Sequence, residues 1–208
     1  HLREADEVYG FVFRLAEEKK LPVLIKAFDY IGRDRPHAKL LFVGDFEYRK
    51  ELEKMAAKSK YADRIIFTGT MQREDLGVAY AAMDVFTFPS LKDTQGWVLH
   101  EAAHAGKPIV IIDRDLSEVV EDGKNGFYAR NSAADIARKV TELLKSPAMR
   151  AQFGAHSKRL AGNFGQAQQV QKLIELYEQV IAKHATKKPA IRGTVTKLKE
   201  LHARLWMS

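Results

Sequence analysis

Short apolar runs rich in β-branched and aromatic residues alternate with helical patterns along most of this chain, and that alternation limits the fold more than any other feature. Strands are predicted at 8–13, 39–43, 64–67, 84–88, 108–112 and 127–129. Helices are predicted at 21–31, 50–59, 73–83 and 96–105, with a short one near 116–120 and three more at 132–145, 147–161 and 166–184. The first helix carries its apolar stripe at Leu24, Phe28 and Ile31. The strand segments are short, apolar and β-branched or aromatic, as strands covered on both faces are. Strand–helix alternation then implies right-handed crossovers. The expected fold is α/β: a Rossmann-like, doubly wound parallel sheet of about six strands, with additional helices at the C-terminal end. Ligands of such sheets bind beyond the carboxyl ends of the strands. The segments to search are 14–20, 69–73 and 89–96.

The net charge of +7 is unevenly placed. Residues 183–208 hold seven basic residues against Glu200 alone, so six of the seven net charges lie there. Basic character therefore belongs to a tail, and no nucleic-acid partner is expected for the body. The sequence divides into a Rossmann-like body at 1–182 and, at 183–208, a basic linker ending in an amphipathic helix near 194–206. That helix has Leu198, Leu201, Leu205 and Trp206 opposite Lys197, Lys199 and Arg204. It suits an anionic membrane surface, or equally the flank of another domain. No cysteine is present, which removes disulfides and thiolate metal sites. No apolar run approaches the roughly 20 residues that span a bilayer. The expected location is the cytoplasm, with a peripheral place at the inner face of the membrane if the tail binds lipid.

Arg14 and Lys19 follow the first strand. Two cations at a helix start suit a diphosphate, and they equally suit a solvated surface. Asp93-Thr94-Gln95-Gly96 follows the fourth strand. There Thr94 is a candidate helix cap, and Gly96 allows close backbone approach. Glu101, further along that helix, is placed to meet vicinal hydroxyls. The competing reading of these two carboxylates is plain surface charge. A third reading takes His100-Glu101-Ala102-Ala103-His104 as a zinc-hydrolase H-E-x-x-H element, with both histidines on one helix face. Against it, Gly106 and Pro108 stop the helix at once, and none of Asp113, Glu118 or Glu121 is marked as a third ligand. No P-loop, dinucleotide glycine fingerprint or nucleophile elbow is present.

Taken in order, these elements resemble the donor-binding half of retaining, two-Rossmann-domain (type B) glycosyltransferases of the large family-four group. The likeness rests on Arg14 to Lys19, Val43-Gly44, Phe88-Pro89-Ser90, and Asp93 with Glu101 in the place of a Glu-x7-Glu motif. It continues through Ala105-Gly106-Lys107-Pro108-Ile109-Val110, Glu118-Val119-Val120 and Asp122-Gly123-Lys124-Asn125-Gly126. The resemblance implies that Arg14 and Lys19 hold the donor diphosphate and Glu101 the ribose. Asp93 with the amides of Thr94, Gln95 and Gly96 would take the transferred sugar and a phosphate, and Gly69-Thr70-Met71 would meet the base. It implies Asp93, Arg14 and Lys19 as the catalytic set, a UDP-glucose-like donor, no metal or other cofactor, and glycolipid synthesis. It also implies an N-terminal acceptor-binding Rossmann domain outside this sequence, without which turnover is expected to be poor. The chain departs from the pattern at Phe13 (usually glycine), at Asp93 (usually glutamate), and at His100 and His104 (usually small or apolar). Those departures leave a non-catalytic nucleotide-binding module as the alternative.

Overall fold

A computed structural model describes residues 2–116 and 118–184. Its contacts separate two units, His1–Ala161 and Gly162–Ser208. The boundary precedes the last described helix, which the sequence places in the main body.

The first unit is built on six strands: β1 (Glu7–Val12), β2 (Ala38–Val43), β3 (Ile65–Phe67), β4 (Val85–Phe88), β5 (Ile109–Ile111) and β6 (Gly126–Tyr128). All neighbouring pairs are parallel, in the order β3-β2-β1-β4-β5-β6. This is the expected doubly wound sheet, and the order reverses between β1 and β4. Their pairing covers only Tyr9 with Val85 and Gly10 with Phe86. Beyond that point the two strands and their loops part, which opens a crevice at the switch point.

Nearly every strand residue is buried. Tyr9, Phe11, Phe42, Phe86 and Phe88 are fully so, and the Phe11 and Phe88 rings stack at 5.7 Å. Each side chain removed from water in this way contributes about 1.5–3 kcal/mol. The buried Tyr9 hydroxyl donates to the Leu24 carbonyl at 2.9 Å, so its polar end is satisfied inside the core.

Helices α1 (Pro22–Asp34), α2 (Arg49–Ala56), α3 (Leu76–Ala81), α4 (Trp97–His104), α5 (Ala133–Lys145) and α6 (Pro147–Gly162) flank the sheet. α1 begins with proline, which fits a first turn that needs no donor there. It buries Leu24, Ile25, Phe28 and Ile31 and packs against α5, which buries Ile136, Val140, Leu143 and Leu144. The second unit contributes α7 (Gln166–His184).

Two predicted helices differ. Residues 73–83 are a 3-10 turn (Arg73–Asp75) followed by the short α3. No helix forms near 116–120; the described residues there bend and turn. The buried Asn125 explains the second case. Its side-chain amide donates to the Val119 carbonyl at 2.8 Å, and its oxygen accepts from the Glu121 amide at 2.7 Å. Those bonds hold the segment in a turn. The basic linker and helix predicted at 183–208 lie almost wholly outside the described residues.

Candidate functional site

The segment after β1 is stitched along the end of β2. Phe13 donates its amide to Val43 at 3.1 Å, Leu15 donates to Asp45 at 3.1 Å, and the Leu15 carbonyl accepts from Tyr48 at 3.2 Å. Gly44 makes this approach possible: it sits at φ 126°, and a Cβ there would lie 2.1 Å from the Phe13 carbonyl oxygen. In this segment Leu15 and Ala16 are buried and Arg14 is exposed. The Arg14 guanidinium lies 5.6 Å from the Phe13 ring centre and 5.0 Å from that of Phe46, with a Glu18 carboxylate oxygen at 3.9 Å. Two aromatic faces and the Glu18 carboxylate thus flank an exposed cation.

Lys19 ends a 3-10 turn (Glu17–Lys19) closed by Lys20 in the left-handed region at φ 56°. Lys19 is only 3% exposed. Its Nζ lies 2.6 Å from Asp93 Oδ2, over the rings of Phe13 at 4.9 Å and Phe88 at 5.9 Å. The helix-terminus part of the sequence expectation does not hold here. α1 starts three residues later at Pro22, and its next amides, of Val23 and Leu24, already donate to Lys20 and Leu21.

The opposite wall comes from the loop after β4. Asp93 Oδ1 accepts from the Thr94 amide at 3.1 Å. The N-cap of α4 is Gly96, in the left-handed region at φ 57°, and Thr94 caps nothing. A Cβ at Gly96 would meet Leu99 at 2.8 Å. The space a side chain would need at this helix start is thus taken by buried leucines, Leu116 also standing at 3.3 Å.

Arg14, Lys19, Asp93, Thr94, Gln95 and Gly96 all line one cavity of about 620 Å³ at the switch point. Phe13 and Trp97 complete its apolar wall. Six of the ten site residues expected from sequence are thus brought together. The others lie off this wall. Gly69, at φ 76°, is buried and accepts from the Gly44 amide at 2.9 Å, which ties the ends of β2 and β3. Thr70 is exposed and Met71 half-exposed beside it. Glu101 is exposed on α4, and its Oε2 accepts from the Tyr80 hydroxyl at 2.7 Å. Burial, and then that carboxylate, push the Tyr80 hydroxyl far above its ordinary pKa, so it remains a donor that orients Glu101.

His100 and His104 do not form a metal centre with a neighbour. Among the described residues no three histidines, aspartates or glutamates converge as a metal would need. The His100 ring packs 5.5 Å from that of Trp97, and burial followed by the nearby His104 lowers its pKa. Sequence reading missed Lys92 and Trp97, which line the cavity, together with Phe46 and Tyr80, which contact Arg14 and Glu101. Trp97, directly after Gly96, was the most accessible signal: an aromatic residue opening a helix after a polar turn. Phe46 sits in an otherwise polar turn. Tyr80 left no local signal.

Residues 1–160 match the family described as glycosyl transferases group 1, and the chain belongs to that family. Its sheet is the Rossmann-like unit of the type-B fold, consistent with the C-terminal half. The Arabidopsis thaliana sulfoquinovosyl transferase SQD2 is 34% identical over 138 residues, which cover 64% of this chain and 26% of that protein. The alpha-monoglucosyldiacylglycerol synthase of Acholeplasma laidlawii is 29% identical over 147 residues, 70% of this chain and 37% of that protein. The chain therefore spans well under half the length of either. Among solved structures, Anabaena HepE in complex with UDP-glucose superposes with a TM-score of 0.68 at 26% identity, covering 76% of this chain and 44% of that one.

Proposed function

We propose that this domain binds the nucleotide-diphosphate sugar of a retaining hexosyltransferase, with UDP-glucose as the model donor and a lipid as the acceptor. The observation that carries the reading is the single cavity at the switch point. Arg14 and Lys19 face the start of α4 across it, with Asp93 between them. The sequence likeness to a diacylglycerol glucosylating enzyme and the structural likeness to a UDP-glucose complex support the choice of donor and acceptor class.

When the glycosidic bond breaks, negative charge gathers on the leaving diphosphate. Arg14, Lys19 and the backbone amides opening α4 stabilise that charge in place, and the reading calls on no metal. Asp93 accepts hydrogen bonds from the hexose hydroxyls. Glu101, held by Tyr80, accepts those of the ribose, and the turn at 69–71 meets the base. An N-terminal domain supplies the acceptor side of the cleft, so full turnover requires it. A basic tail at 183–208 holds the enzyme at the inner face of the membrane.

Arg14 is the cleaner of the two cations to remove, because it is exposed, whereas Lys19 is buried in an ion pair and its loss also weakens the fold. Arg14→Ala is expected to weaken UDP-glucose binding by about ten- to a hundredfold, as loss of a charge-assisted contact does. The thermal unfolding midpoint should stay put. Calorimetric titration of both chains with UDP-glucose checks this, and equal affinities would remove the reading.

A further inference from the structure

Asp93 is the counter-ion of a lysine that the donor also needs. Lys19 is nearly sealed from water and rests on two phenyl faces, so its ammonium must keep an anion within reach. In the structure that anion is Asp93 Oδ2 at 2.6 Å, on a carboxylate whose side chain is 15% exposed and faces the cavity. A diphosphate entering the cavity brings a second anion to the same ammonium. Two anions on one cation repel, and the one that can find other partners yields.

We propose that Asp93 discriminates substrate from product by competing with the terminal phosphate for Lys19. The inference rests on the donor-site reading above and concerns what happens within that site. With a nucleotide-sugar bound, the β-phosphate is an ester bearing one charge, and the hexose hydroxyls offer the displaced carboxylate new hydrogen bonds. With free UDP the β-phosphate is close to dianionic, and no hydroxyls stand beside it. The carboxylate then keeps its pairing with Lys19, 2.6 Å away, against the phosphate. The same side chain thus holds the hexose before transfer and works against retention of UDP after it. The loop suits such a shift. Apart from Lys19, the carboxylate is held by a local bond, the Thr94 amide donating to Oδ1 at 3.1 Å, so a side-chain rotation that releases Lys19 breaks little else.

The test compares UDP with UDP-glucose on the 208-residue chain and on Asp93→Asn, which keeps the side chain's shape and its acceptor for the Thr94 amide. Titration calorimetry is expected to show UDP binding about tenfold tighter to D93N, the order of effect when one like charge leaves a partly screened site. UDP-glucose should change by less than about threefold, because a lost hydrogen-bond acceptor offsets the lost repulsion. The quantity that reports the proposal is the dissociation constant of UDP itself, because loss of the hexose contact alone would weaken UDP-glucose and leave UDP unchanged. Asp93→Ser, also neutral and on the same loop, supplies the comparison if the asparagine variant does not fold. UDP affinity unchanged in the folded variant overturns the proposal while the donor site stands. A parent chain that binds neither nucleotide removes the donor site and the proposal together.

Discussion

Asp135 lies in the first turn of α5 with its side chain 5% exposed. Ser132, the N-cap, makes no side-chain bond to the helix. Asp135 instead reaches back to the Arg130 amide at 2.8 Å and pairs with the Arg138 guanidinium at 2.8 Å. The Arg130 amide, with help from the Arg138 and Arg130 side chains and against the effect of burial, holds the carboxyl down at about 2 from an ordinary 3.8. A carboxyl with a depressed folded-state pKa stabilises the fold above its unfolded value and loses that effect as pH falls towards the folded one. The contribution is complete above about pH 4 and disappears towards about pH 2, with a size of about 2 kcal/mol. Asp135→Asn should therefore lower stability by about that amount at neutral pH and flatten the acid limb. Urea unfolding followed from pH 7 to pH 2 measures both effects.

At the scale of elements, Arg64 closes the C-terminal end of α1. Its guanidinium donates to the carbonyls of Gly32 at 2.8 Å, Arg35 at 2.9 Å and Pro36 at 3.0 Å, and lies 4.5 Å from the Tyr61 ring centre. One planar cation thus satisfies acceptors that the end of a helix leaves open. Arg64→Met should cost about 1–3 kcal/mol in denaturant unfolding, and Arg64→Lys should not restore it, because an ammonium cannot present the same fork. The strands of the sheet were legible because burial on both faces writes most of them as near-continuous apolar runs, as at Leu40–Val43 and Ile109–Ile111. The predicted helix near 116–120 failed because its fate depends on Asn125, a later residue whose side chain captures that backbone. The site divides in the same way. Arg14 and the 93–96 loop were legible from topology, since each follows a strand that borders the switch point. The Lys19–Asp93 pair, 74 positions apart, and the Tyr80–Glu101 bond, 21 apart, were not. Contacts between separate elements leave no periodic trace in sequence.

Across the whole molecule, charge and apolar surface are unequally shared. The last 26 residues carry six of the seven net positive charges. α7 exposes Leu173, Leu176, Tyr177 and Val180, spaced as one helical stripe. Among the described residues no helix is long and apolar enough to cross a membrane. Lysine and arginine near an anionic bilayer each contribute about 1 kcal/mol, so removal of residues 183–208 should reduce co-sedimentation with phosphatidylglycerol vesicles by at least about tenfold. Undiminished sedimentation would assign the tail to packing against another domain.

Trp97 is 65% exposed on the wall of the switch-point cavity, and the only other tryptophan of the chain is Trp206. An indole half in water at the rim of a pocket changes its emission when a solute displaces that water. The domain therefore carries its own optical reporter of occupancy, and replacing Trp206 with phenylalanine isolates the signal without attaching a dye.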